Sequence, residues 1–171
     1  MTNRNGQSRP PAGEAAPSVV LLVFRMDGRE HALPVEDVVE VVRMVAATPL
    51  PEAPVWVGGV INFRGRVIPL IDARARLGAP RREPDLSTRI IVVQTSEWAA
   101  GLVVDEVVEV LPVRAEALDP PGKATAGAAA VSGVVSEGDR LILVLDRDRL
   151  LEGSVDLRLP FDLEQTREAE R

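Results

Sequence analysis

The feature that most constrains this chain is that its strand pattern is written twice. Setting Leu21-Leu22-Val23 over Ile90-Ile91-Val92 is a shift of 69 residues. The same shift puts Leu33 on Leu102, Val35 on Val104, and Val38-Val39-Glu40-Val41 on Val107-Val108-Glu109-Val110. Further on, a shift of 74 sets Gly59-Val60 over Gly133-Val134 and Arg66-Val67-Ile68 over Arg140-Leu141-Ile142. It also carries Leu70-Ile71-Asp72 onto Val144-Leu145-Asp146. The difference is one insertion, and the Pro- and Gly-bearing loop Asp119–Ala130 is its natural home. Chance alternation of apolar residues does not readily place Glu40, Gly59 and Asp72 on Glu109, Gly133 and Asp146 in one order.

Within each copy the pattern is one of short β-branched runs. The first copy reads Val19–Phe24, His31–Val35, Val38–Val45, Val55–Ile61 and Arg66–Ile71; the second reads Ile90–Val93, Gly101–Val104, Val107–Val113, Val131–Val135 and Arg140–Leu145. Gly, Pro and Asp separate them, as in a small β-barrel or sandwich. Asp27-Gly28 is a hairpin turn signal, and five prolines from Pro34 to Pro69 break any long helix in the first copy. The expected architecture is therefore mainly β: two five-stranded barrels packed by aliphatic faces. The domain is expected over 18–152, with a first barrel at about 18–80, a second at about 88–152, and Ala79–Ser87 as the connection. Residues 1–17 read as a disordered tail. Residues 153–171 read as a C-terminal tail, with a short charged helix over Asp162–Arg171.

Composition limits what such a domain can do. Hydrophobic residues are 46% of the chain and aromatics 3%, with no Tyr, so the core must be aliphatic. A net charge of -6 disfavours nucleic acid and anionic lipid, whose binding rests on clustered cations. The chain has no Cys, which excludes disulfides, thiolate ligands and a thiol nucleophile. No stretch approaches the roughly 20 apolar residues of a membrane span, and Met1–Pro17 lacks the apolar segment of a signal peptide. A cytoplasmic protein without membrane insertion is expected.

Catalytic constellations are missing. His31 is the sole His, in an alternating strand with no Ser motif nearby, and reads as structural. Gly58-Gly59 lacks the rest of a phosphate loop; a close approach of backbone between strands is the better reading. The paired acids Glu36-Asp37, Asp105-Glu106 and Asp146/Asp148 fall at strand ends, where turns favour Asp. Asp72 and Asp146 are repeat-equivalent and read as turn or cap residues, since a catalytic site seldom appears twice. No enzyme activity, catalytic residue, metal or cofactor is expected.

The informative difference lies in one turn. Asn62-Phe63-Arg64-Gly65 joins two apolar runs, and in the second copy the turn reads Ser136-Glu137-Gly138-Asp139. The fold needs a turn here but not this Arg. An Arg on a rigid hairpin is well placed for a directional contact, though a solvated turn residue also fits.

The whole segment Gly59-Val60-Ile61-Asn62-Phe63-Arg64-Gly65, with Val67-Ile68-Pro69-Leu70-Ile71-Asp72-Ala73-Arg74, resembles the signature hairpin of the CheW family. That signature usually runs G-V-x-N-L-R-G, then V-I-P-x-x-D-L-R. Val38–Val41, Gly101–Val107 and Gly138–Leu145 extend the resemblance across about Val19 to Leu151. Phe63 and Ala73 stand where Leu is usual. The resemblance implies two SH3-like barrels and a non-enzymatic coupling role. The implied partners are the regulatory domain of a CheA-type histidine kinase and the cytoplasmic tip of methyl-accepting chemoreceptors. By position, Arg64, Gly59 and Glu40 fall at the family's partner contacts, and Val38, Ile90 and Val110 fall on its apolar contact surface. Alternation alone places those last three equally well in a barrel core. The resemblance also implies a Glu40–Arg64 salt bridge that orients the Arg. The same adaptor serving surface motility, development or a second-messenger cascade is the nearest alternative. A nucleic-acid-binding small barrel and an acid-dependent hydrolase are remote ones.

Overall fold

A computed structural model describes residues 18–122 and 130–153. The expected tails at 1–17 and 153–171, Gly153 apart and including the helix over Asp162–Arg171, lie outside the described residues, as do 123–129 of the insertion. Ten main strands occur where the ten runs were read. They are β1 (Ser18–Met26), β2 (Arg29–Pro34), β3 (Val38–Arg43), β4 (Val57–Phe63), β5 (Arg66–Asp72), β6 (Arg89–Gln94), β7 (Ala99–Val104), β8 (Glu106–Arg114), β10 (Val131–Glu137) and β11 (Arg140–Leu145). Leu118–Asp119 adds a two-residue strand, β9, inside what the sequence presents as a loop. Two short helices were not foreseen, α1 (Ala73–Arg76) and α2 (Arg147–Leu151). Their caps were: Asp72 accepts from the Ala75 amide at 3.2 Å, and Asp146 from the Arg149 amide at 3.1 Å.

The strands form two sheets, β8-β1-β2-β11-β10-β9 and β3-β6-β7-β5-β4. This corrects the division into a first barrel over 18–80 and a second over 88–152. The leading hairpin of each copy completes the sheet of the other. β1–β2 joins β8 and β11, while β6–β7 joins β3 and β5. The two exchanges are equivalent, each with one parallel seam, β2 with β11 and β5 with β7.

Each sheet curls until its ends meet. Beyond β3, Thr48 pairs with Val60 of β4 through two backbone hydrogen bonds of 2.8 Å. Beyond β8, β9 pairs with β10 at Val134 and Val135. Curling back hides strand edges that such Val-rich segments would otherwise expose. The two glycines shared by the copies sit at these seams. Gly59 has φ +119, and a Cβ there would lie 2.4 Å from the Thr48 carbonyl oxygen. A Cβ on Gly133 would lie 2.8 Å from Leu118 Cδ1 and 3.1 Å from the Asp119 carbonyl oxygen.

Three aliphatic cores follow. Leu21, Val23 and Ala32 fill the first sheet's curl with Ile142 and Val144. Ile61, Ile68, Leu70, Ile90 and Val92 fill the second. The largest lies between the sheets, where Leu22, Phe24 and Leu33 meet Ile91, Val93 and Leu102. β1 and β6 therefore bury both faces, which explains why Leu21–Phe24 and Ile90–Val93 are unbroken apolar runs. Arg74 ties the sheets at one end. Its guanidinium donates to Asp105 at 2.5 Å, to Asp27 at the β1–β2 turn at 3.1 Å, and to the Pro80 carbonyl at 2.7 Å.

Candidate partner-binding site

β4 and β5 are joined by two residues, Arg64 at φ 50 and Gly65 at φ 81. Positive φ at both positions is the type I′ turn, whose twist matches the flanking strands. The Asn62 side-chain oxygen accepts from the Gly65 amide at 2.8 Å and fixes the loop. A non-glycine residue at positive φ carries some strain, so Arg64 occupies the tip at a small cost in stability.

The turn holds its side chain outward. Arg64 stays 69% exposed while its guanidinium donates to the Glu40 carboxylate, and it lies 5.3 Å from the Phe63 ring centroid. Glu40 comes from β3, at the far edge of the sheet from β4. The pair therefore spans the seam that Thr48 closes, and the sheet must close before Glu40 can orient the Arg. An exposed pair of this kind adds about 0–1 kcal/mol; what it supplies is direction. The expected Glu40–Arg64 bridge is present.

The other candidates separate by burial. Val110 lies opposite Leu22 on the face that the two sheets share, yet it is 57% exposed. Its repeat equivalent Val41 lies opposite Ile91 and is 36% exposed. Val38 is half-buried at the margin of the same core. Ile90 requires correction: it is fully buried inside the β3–β7 sheet, as its equivalent Leu21 is inside the other, and has no surface to offer a partner. Gly59 is also buried, and its requirement for glycine comes from the Thr48 carbonyl.

Sequence reasoning missed two arginines. Arg74 stands in the quoted signature without a role. It is almost buried, and its hydrogen bond to Asp105 raises its pKa further above the ordinary arginine value. Arg140, the repeat equivalent of Arg66, meets Glu30 at 2.9 Å, Glu109 at 2.6 Å and Glu137 at 3.1 Å. Its hydrogen bond holds the Glu30 carboxyl below its ordinary value. The match of Glu40 with Glu109 was the available signal that a second arginine would be paired here.

His31 is buried, stacked on Phe24 with ring centroids 6.2 Å apart, its Nδ1 3.1 Å from the Arg29 carbonyl. Burial pushes its pKa down. Among the described residues no group of three or more His, Asp or Glu is placed to hold a metal ion. No helix among them is long and apolar enough to cross a membrane.

Comparison with known proteins fits this arrangement. The family model of the CheW-like domain matches residues 20–155. The chain is 31% identical to the chemotaxis protein CheW of Bacillus subtilis over 134 residues, 77% of this chain and 86% of that protein. It is 34% identical to protein FrzA of Myxococcus xanthus over 148 residues, 84% and 92% of the two chains. It is 39% identical to protein PilI of Pseudomonas aeruginosa over 98 residues, 57% of this chain and 55% of that one. The crystal structure of the scaffolding protein TtCheW from Thermoanaerobacter tengcongensis superposes with a TM-score of 0.75 at 35% identity, covering 80% of this chain and 94% of that one.

Proposed function

Given that this chain belongs to the family of CheW-like domains, we propose that it is a non-enzymatic coupler joining the cytoplasmic tip of methyl-accepting chemoreceptors to a CheA-type histidine kinase. The observation that carries the reading is Arg64, held outward on a rigid turn by Glu40 across the sheet seam. A coupler must fix two partners in a set relation, and a few well-positioned side chains supply most of such binding energy. Arg64 and Glu40 are proposed as the directional contact, with Val38 and Val110 as apolar contact surface. Many such couplers linked in an array add multivalency, so weak individual contacts give firm assembly and shared switching.

A second reading differs only at the level of pathway. The same adaptor then serves motility, development or a second-messenger cascade, and recovery of its receptors and kinase from the source cell separates the two.

The test is reconstitution with receptor and kinase. Arg64→Ala should leave thermal stability within about 0.5 kcal/mol, as for ordinary surface changes, and weaken receptor control of the kinase. Glu40→Ala should give a similar defect, and the double variant should be little worse than either single. Normal coupling by Arg64→Ala would make Arg64 a solvated turn residue and remove the basis of the reading.

A further inference from the structure

Two arginines meet where the core between the sheets ends. Arg43 and Arg89 stand directly opposite each other in the β3–β6 register. Val104 of β7, opposite Arg89, completes the row and is buried in that core. Strand alternation sets Arg43 with Val41 and puts Glu40 on the other face of β3, so the pair is separate from the Arg64 contact. Like charges directly opposite destabilise a sheet, and among the described residues neither arginine has a carboxylate partner. The repeat shows that the fold does not require them. A shift of 69 sets Val20 over Arg89 and Arg43 over Pro112, and Val20 and Pro112 are themselves paired in the β1–β8 register. One sheet holds an uncharged pair where the other holds two cations.

A cavity of about 320 Å³ opens at the pair, lined by Arg43, Met44, Asp85, Leu86, Thr88 and Arg89. Arg89 is held in place: its Nη1 donates to the Leu86 carbonyl at 2.7 Å and to the Thr88 carbonyl at 2.9 Å. Its Nε and Nη2 remain for a bidentate acceptor. Asp85 does not neutralise the pair. One of its oxygens accepts from the Ser87 amide at 2.8 Å, the Ser87 hydroxyl at 2.5 Å and the Thr88 amide at 3.2 Å, and the other accepts from Arg82. Leu86, 98% exposed, and half-buried Met44 give the cavity apolar walls. The adjoining cavity of about 360 Å³ differs. Arg74, Arg81 and Arg82 are balanced there by Asp72, Glu83 and Asp105, so it carries no excess charge.

We propose that the Arg43–Arg89 cavity binds an acidic segment of a partner protein, one that sets a carboxylate beside a bulky apolar side chain. The carboxylate bridges the two guanidiniums, and the apolar residue lies on Met44 and Leu86. An anion there relieves the like-charge pair, so the repulsion that weakens the free chain strengthens binding. Nucleic acid does not fit. Two free cations on a chain of net charge -6 make no track for a phosphate backbone, and no aromatic ring lines the cavity to stack a base. Inorganic phosphate makes no use of the apolar walls. The site holds or fails independently of the coupling role, because it involves neither Arg64 nor Glu40.

The test is amide NMR on the full chain, with the end-blocked peptide Asp-Leu-Glu-Leu-Asp as probe. The amides of Arg43, Met44, Thr88 and Arg89 should shift and saturate, and those of the Arg64 turn should not move. Arg43→Gln should weaken the peptide about tenfold, the share of one hydrogen bond to a charged group. It should also raise the melting temperature, because it removes the like charge. Arg43→Glu should abolish binding and raise the melting temperature further, by pairing with Arg89. A structural role for Arg43 would instead lower stability in both variants and overturn the proposal. So would unmoved cavity amides at millimolar peptide, or shifts confined to the Arg64 turn. Equal binding of Asn-Leu-Gln-Leu-Asn would take the carboxylate out of the recognition. Equal binding of inorganic phosphate, or of Asp-Gly-Glu-Gly-Asp, would leave a simple anion site and overturn the protein segment.

Discussion

The two equivalent hairpins, β4–β5 and β10–β11, share a register and differ in what surrounds their arginines. In the second hairpin Arg140 is enclosed by Glu30, Glu109 and Glu137. In the first, the equivalents of Glu30 and Glu137 are Ala99 and Phe63, both packed on the core inside that sheet. Arg66, the counterpart of Arg140, thus loses two of its three carboxylates, and Glu40, the remaining one, pairs with Arg64 instead. One hairpin end carries a saturated cation among three acids, and the other two cations around a single acid. Two copies of one motif thereby present opposite local charge. Electrostatic complementarity governs which surfaces meet, so the two ends are suited to different partners.

Seam glycines give the largest expected effect on this comparison. Gly59→Ala should cost about 3 kcal/mol or more, because it combines positive φ with a backbone clash. Gly133→Ala should cost about 1–2 kcal/mol, since its nearest obstacle is the flexible end of Leu118. Denaturant unfolding of both variants measures the gap; equal losses would mean that the two seams close with the same tightness.

A smaller effect should separate the arginines. Arg140→Ala removes the cation from Glu109 and Glu137 and leaves Glu30 only Arg25 at 3.4 Å, so it should lower the melting temperature measurably more than Arg64→Ala, which frees one exposed acid. Similar melting curves for the two would remove the distinction between a saturated and a presented cation.

The smallest difference is in acid. Arg140 keeps the folded-state pKa of Glu30 below its ordinary value of 4.5. The stability this contributes is complete above about pH 4.5 and disappears as pH falls through the lower folded-state value. Glu30→Gln should therefore flatten the stability profile below about pH 4.5 relative to wild type. An unchanged acid limb would show that the network does not hold Glu30 ionised.

Much of the fold was legible because strand signals are local. β-branched runs, the Asp27-Gly28 turn and the caps Asp72 and Asp146 depend on neighbours a few residues away. The contact reading of Ile90 failed for a related reason. Alternation assigns a side chain to one of two faces, and in β6 both faces are buried. Arg64 and its Glu40 partner were reachable through the resemblance, whereas the Arg140 cluster gathers residues from four strands.

By itself the sequence determined where the strands lie, that they come in two equivalent sets, and that one turn carries an arginine the other lacks. Only the tertiary structure decided which leading hairpin completes which sheet. The physical reason is the repeat itself. Equivalent strands carry the same apolar pattern and the same register, so contiguous and exchanged pairings satisfy the local rules equally. The choice between them falls to the packing between sheets: Leu22 and Phe24 against Ile91 and Val93, with Arg74 joining Asp27 to Asp105.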